Sequence, residues 1–435
     1  MKKYLHEYVS DFEKELNIPL MRKEADRPLI EYVMDCWKSL EVVKNIKILK
    51  FEYSDDESGI DINNHIMKRD KKRKKNERNQ YKFISDDRCA QLTVWIQITA
   101  NELNPDTNLS ELRTIVLKKK MLIPVQDEDG YFHIKGKKYH VIYQIAEKSI
   151  YTVSNSVTLK SLMPISVKRS SITKTDINEI EYTLPVYNIT VFKKDMPVLL
   201  FYASRGLESA LSYLGVDRAI QFKEEIDESD DSNIYFRLSK SMFLEVNKEL
   251  FDKYIYIQGV TGMVLAISTN RLNREILNDP EYWIKHLSNN NTYEKGKDVL
   301  LFFNRMLDLT TKKILKIEEY HKKDIYSLLR WMIMNYNELR LKDNMDLNNK
   351  RLRANEYIGS ELTKEFSKRL HRVLSLGNRA TMQNYKDMFK FPGNILIQKM
   401  HSSGILRYDE NINDMNFFSR FKFTNKGLRC NPEIA

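Results

Sequence analysis

The chain is short of the residues from which self-contained catalytic signatures are built. Glycine occurs 13 times in 435 residues, less than half the usual ~7 %. Neither a P-loop nor a G-x-G-x-x-G pattern is present, which argues against a fold organised around a glycine-rich phosphate cradle. H-E-x-x-H, C-x-x-C and G-x-S-x-G are missing too, so none of the common zinc, redox or serine-hydrolase signatures applies. The three cysteines, Cys36, Cys89 and Cys430, are too few and too scattered for a disulfide framework or a zinc site. No apolar run approaches the ~20 residues of a membrane span. The N-terminal stretch MKKYLHEYVSDFEKEL is amphipathic and carries acids, unlike a signal peptide.

What is present is charge and enough apolar material for real cores. The chain is 42 % hydrophobic and 11 % aromatic, which excludes wholesale disorder. Lys plus Arg number 71 against 60 Asp plus Glu, a formal charge of +11. The length favours two or three domains. The excess charge is unevenly placed, because residues 68–78 read KRDKKRKKNER, eight basic residues in eleven. Such a run cannot enter a core; it reads either as a hand on a phosphate backbone or as a solvated loop. Residues 223–231, KEEIDESDD, form the acidic counterpart. Asp127 and Asp129 before Gly130 lack the remaining spacing of a calcium loop and read as a turn.

The patterning predicts α+β. Leu92, Val94, Ile96 and Ile98 alternate with Thr93, Trp95 and Gln97 in the period of a strand. TIVLKKKMLIPV, YFHI and YHVIYQ, separated by DEDG and KGKK, predict a three-stranded meander. Strand signals continue over 180–202, including VLLFY after Pro197, and Leu207, Leu211 and Leu214 predict a helix over 204–222. Residues 260–340 are largely helical in pattern. The clearest helix is 324–340, with Asp324 as its N-cap and Ile325, Leu328, Leu329, Met332, Ile333, Tyr336 and Leu339 on one face. A second covers 355–374, with Ile358, Leu362, Phe366, Leu370 and Val373 as its buried stripe and Lys364, Lys368, Arg369 and Arg372 on a basic face.

Residues 123–144, IPVQDEDGYFHIKGKKYHVIYQ, resemble a signature of the β subunit of multisubunit RNA polymerases, with Ile123, Pro124, Gly130, Phe132, Ile134, Gly136, Val141 and Gln144 in register. Lys135 stands where the family has Asn, and Lys138-Tyr139 where it has Glu-Arg. Other segments resemble the same family in the same order. They are 85–96 (SDDRCAQLTVWI), 189–206 (ITVFKKDMPVLLFYASRG), 343–366 (DNMDLNNKRLRANEYIGSELTKEF) and, most loosely, 395–427. In 343–366, Asp343, Asp346, Leu347, Asn349, Arg351, Arg353 and Glu356 match once one His is deleted. In the last, Ile397, Lys399, Ser402, Ser403, Asn416 and Ser419 align, while Arg407 and Phe423 fall where the family has Gln and His.

The resemblance implies an α+β chain of β-subunit protrusion and lobe with the start of the fork. Residues 1–169 would be the first part of the protrusion, 170–340 the lobe, 341–395 the return of the protrusion, and 396–435 the fork entry. It implies one wall of a DNA cleft and an N-terminal piece of a β subunit divided between polypeptides, as in some giant bacteriophages; a truncation is the alternative. No catalytic residue and no cofactor would belong to this chain, because the Mg²⁺ of the assembled enzyme would sit on the Asp triad of a β′ chain. Partners would be the chain carrying the rest of β, the β′ chain or chains, template and non-template DNA, nascent RNA and a promoter-specificity factor, with no membrane. The location would be the cytoplasm, that of the host if phage-encoded, with packaging in the virion left open.

Nucleic-acid contacts would fall to Lys350, Arg351, Arg353, Arg407, Arg420, Lys422 and Lys426, mostly to phosphates. For Arg351 and Arg353 a salt bridge to Asp343 or Asp346 is an equal alternative. The substitutions at Arg407 and Phe423 imply weak binding of rifamycin-type inhibitors, whose pocket the fork entry lines in the family. Two other readings compete: a stand-alone basic DNA-binding structural protein, and a metal-dependent nuclease using Asp343, Asp346 and Glu356.

Overall fold

The computed structural model describes residues 27–54, 89–103, 110–127, 131–134, 137–141, 143–191, 194–197, 199–226, 232–267, 273–287, 293–318, 320, 324–342, 346, 349–402, 406–408 and 421–423. Within them the chain mixes sheets and helices, as the α+β reading expects. It divides into two units. The first comprises 1–148, 308–319 and 344–430, and the second 149–307, 320–343 and 431–435. The boundary expected at 169/170 falls inside a strand, Ile165–Thr175, whose pairing on both sides keeps it in the second unit.

In chain order, the first unit opens with β1 (Ile46–Ser54), β2 (Cys89–Leu103), β3 (Ser110–Pro124), β4 (Phe132–Ile134), β5 (Lys137–Val141) and β6 (Tyr143–Glu147). The second unit holds β7 (Ile150–Val153), β8 (Ser156–Leu159), β9 (Ile165–Thr175), β10 (Glu181–Val191), β11 (Lys194–Pro197), β12 (Ile220–Lys223), β13 (Asn233–Arg237) and β14 (Phe243–Asn247). The chain then returns to the first unit with β15 (Lys350–Arg353), β16 (Leu406–Tyr408) and β17 (Phe421–Phe423).

Among the described residues the first unit carries three sheets, ordered β1-β2-β3, β16-β5-β4 and β15-β6-β17. The meander expected from β3 through YHVIYQ does not form. β3 pairs along its length with β2, and the residues expected in the third strand lie in β5 and β6, which join different sheets. Hydrophobic alternation cannot see this, because each short strand satisfies its pattern against any neighbour. The core gathers around Trp37, fully buried in the helix Leu29–Lys38. Its ring meets Phe366 edge-on at 4.8 Å and stacks on Phe389 at 5.9 Å, and its indole N–H donates to the Met121 sulfur at 3.2 Å. The helix Asn355–Leu376 supplies the other wall, with Ile358, Leu362, Phe366, Leu370 and Val373 all buried as the spacing predicts.

In the second unit, β11-β10-β9-β8-β7 form an antiparallel sheet and β12-β14-β13 a smaller one. The apolar helix Ile255–Ala266 lies against β10. Gly259 and Gly262 permit that approach: a Cβ on the first would strike the Tyr187 ring, and one on the second the Pro185 carbonyl. The LLFY of this run is helical rather than extended, within Leu199–Arg205, and Val198 lies outside the described residues; Leu200, Phe201 and Tyr202 are all buried. A short all-apolar run suits a buried helix as well as a buried strand. Gly206, at φ 80°, separates it from the helix Leu207–Leu214. The helix expected over 324–340 is capped by Asp324 as predicted but breaks at Asn335 into Ile325–Met334 and Tyr336–Leu341. Its apolar face is buried throughout, so the break redirects the chain without exposing the stripe.

Candidate nucleic-acid interface

The first unit brings together segments that are far apart in sequence. β2 starts opposite the end of β3, with Cys89 facing Pro124. β15 runs antiparallel to β6, pairing Lys350 with Glu147, Arg351 with Ala146, Leu352 with Ile145 and Arg353 with Gln144. β17 lies on the other side of β6 and runs parallel to it, placing Lys422 level with Gln144. β16 pairs with β5, placing Arg407 opposite His140. Four of the five segments singled out in the sequence therefore meet in one unit, while 189–206 belongs to the other.

The cationic residues of β15 are not on the surface. Lys350, Arg351 and Arg353 are 5 %, 6 % and 8 % exposed. The Arg351 guanidinium forks onto Glu356: Nη2 donates to Oε1 at 2.6 Å and Nη1 donates to Oε2. Its Nε lies 3.0 Å from Oε1 of Glu318, whose side chain is 1 % exposed. Burial alone would lower the proton affinity of Arg351. The charge and hydrogen bonds of Glu356, then the charge of Glu318, outweigh it and hold the group above its ordinary value. Arg353 is pulled below its ordinary value chiefly by burial, against the opposing pull of Glu356. Its Nε donates to the Gln144 side-chain oxygen at 3.1 Å, and its guanidinium lies 4.6 Å from the centre of the Tyr357 ring.

Glu356 and Glu318 both hold Arg351, whereas the sequence points to Asp343 or Asp346. Asp346 is exposed, and Asp343 lies outside the described residues. The local reason is helical geometry. Glu356 stands in the first turn of Asn355–Leu376, immediately after β15, and points its fork back at the strand it follows. Glu318 follows the helix Leu309–Ile317, a piece of chain that the sequence gives no reason to place in this unit. A charge cluster this dry needs each member, because removing one partner strands the others without water.

Both Glu356 oxygens accept from Arg351, which takes this residue out of the nuclease constellation. Among the described residues no group of three or more His, Cys, Asp or Glu side chains is placed to hold a metal ion. Asp127 accepts from the Tyr131 N–H at 2.8 Å and contacts His133 Nε2 at 2.7 Å, while Asp129 and Gly130 lie outside the described residues. Arg420, Lys426, the 68–78 run and most of the acidic 223–231 stretch lie outside the described residues. No described helix is long and apolar enough to cross a membrane.

No curated protein matches the chain. A family model described as non-virion RNA polymerase subunit matches residues 5–431, nearly the whole sequence, and the chain belongs to that family.

Proposed function

We propose that the chain is the N-terminal part of a divided β-type subunit in a multisubunit, DNA-dependent RNA polymerase of a bacteriophage. One observation carries the reading beyond the family itself. The segments that resemble β-subunit motifs at 85–96, 123–144, 343–366 and 395–427 pair strand to strand in a single unit. Chance hairpin resemblances would have no reason to find one another across 200 residues of intervening chain.

In this reading the first unit is the protrusion with the start of the fork, and the second is the lobe. The chain contributes one wall of a DNA cleft and touches nucleic acid mostly through phosphates. Arg407, Arg420, Lys422 and Lys426 carry those contacts. Lys350, Arg351 and Arg353 serve the same surface from beneath, by holding β15 against β6. Nucleotidyl transfer belongs to Mg²⁺ on an Asp triad of a partner chain. The other partners are the rest of β, the β′ chain or chains, both DNA strands and the transcript. The family's description, non-virion, supports work inside the host cell over carriage in the particle.

The test is to tag the chain in its native setting and purify it gently. Transcription activity with a chain bearing the remainder of β and another bearing the triad is the expected result. A homogeneous single chain that binds DNA without those partners would favour the structural-protein reading.

A further inference from the structure

The β1-β2-β3 sheet has two unlike faces. On one, Leu92, Val94, Ile96 and Ile98 are fully buried. The other face is set by the alternate positions. Register places Lys50 of β1 and Lys118 of β3 on either side of Trp95 of β2. Lys47 lies one outward position along β1, opposite Gln97, and Lys120 one along β3, opposite Thr93. All four lysines are exposed. Among the described residues Glu52 is the one acid at an outward position. It bonds Lys50 at 2.7 Å, and that bond above all holds its carboxyl below the usual range.

Trp95 organises this face. The Lys50 and Lys118 ammonium nitrogens sit 4.8 and 4.6 Å from its ring centre. Cation–π contact of this kind restrains two otherwise floppy side chains, so less freedom is lost when an anion arrives. The lysines recur at about 7 Å along β3 and about 10 Å across the three strands, on a rigid surface. Four exposed cations against one anion at the outward positions complement a polyanion of regular charge spacing; the face closes toward one end, where Thr93 and Leu122 are buried.

The same geometry selects the form of that polyanion. Proteins that track single strands offer aromatic faces on which bases stack. Here the one outward aromatic ring is flanked by ammonium groups, and no second aromatic stands at an outward position among the described residues of the sheet. Contact through phosphates alone suits an intact duplex.

We propose that the outward face of β1-β2-β3, centred on Trp95, docks double-stranded DNA through its phosphate backbone without reading sequence. The proposal rests on the polymerase reading and adds to it a surface separate from Arg407 and Lys422. The test uses the purified polymerase complex containing this chain, with a 40-bp mixed-sequence duplex titrated across a range of salt concentrations. Lys118→Ala with Lys120→Ala should make the slope of log affinity against log salt shallower by about two. A second duplex of unrelated sequence should show the same change, and the melting profile should not move, since both side chains are exposed. Trp95→Leu should weaken duplex binding while leaving the slope nearly intact, because the charges remain but lose their restraint.

An unchanged slope in the double variant overturns the proposal. So does a loss confined to a single-stranded oligonucleotide of equal length, which would make the face a single-strand track. Failure of the polymerase reading is visible separately, as absence of transcription activity and partners in the unmutated preparation.

Discussion

Arg353 and Gln144 stand 209 residues apart in the chain and share a hydrogen bond of 3.1 Å in the interior of the first unit. Each lies in a different segment with β-subunit resemblance, and their strands pair register for register. Apart from 308–319, the chain between 149 and 343 builds the second unit, so this contact lies where the chain has returned to the first. The closure has consequences for stability that can be measured.

Arg351→Met is expected to destabilise the first unit by about 3–5 kcal/mol, the usual cost of leaving a buried charge without its partner. Glu356 and Glu318 would both lose the guanidinium they share in a dry site. Combining it with Glu356→Leu and Glu318→Met should recover much of the loss, since a well-packed apolar replacement for a buried ion cluster is often neutral. Denaturant unfolding followed at Trp37 would read both variants.

Gly262→Ala should destabilise the second unit by about 1–3 kcal/mol, because the new methyl collides with the Pro185 carbonyl and a backbone atom cannot swing aside. The same measurement on Leu341→Ala, at a position 73 % exposed, should show almost no change.

Burial pushes the Cys36 thiol up to about 12 from 9.0. Tyr202, Tyr256 and Tyr326 are also raised, each mainly by burial. For such groups the native state keeps protons that the unfolded state has released. Stability is therefore full below pH 9 and falls as pH climbs toward the native values. Unfolding free energies at pH 8 and pH 10.5 should differ in that direction, and Cys36→Ala should flatten the early part of the fall. In the native chain Cys36 should resist thiol reagents at pH 8, since the thiolate is the reactive form.

Rifamycin-type inhibitors should fail against the assembled enzyme, given Arg407 and Phe423 at the positions where the resemblance expects Gln and His. Submicromolar inhibition of transcription would refute this.

Parts of this architecture are readable from the sequence because they depend on near neighbours. The stripe from Ile358 to Val373 and the Asp324 cap each need only a period or a local hydrogen bond, and both are as expected. The break at Asn335 and the helical LLFY escape the pattern, because tertiary packing decides between conformations that bury the same side chains. The candidate site was legible as a list of cations and not as an arrangement. Nothing in the spacing of Arg351 says that its charge is met by Glu318, or that β17 will lie parallel to β6. The Trp95 face escaped for the same reason, since Lys50, Trp95 and Lys118 become neighbours only when three strands align.

The most direct test of the account is mass spectrometry of the complex that this chain forms in its native setting, paired with a transcription assay on the same preparation. Stoichiometric recovery with one chain completing β and at least one carrying the metal-binding Asp triad, in an active fraction, is the expected result. Recovery of the chain alone, or with partners that lack both, would contradict it.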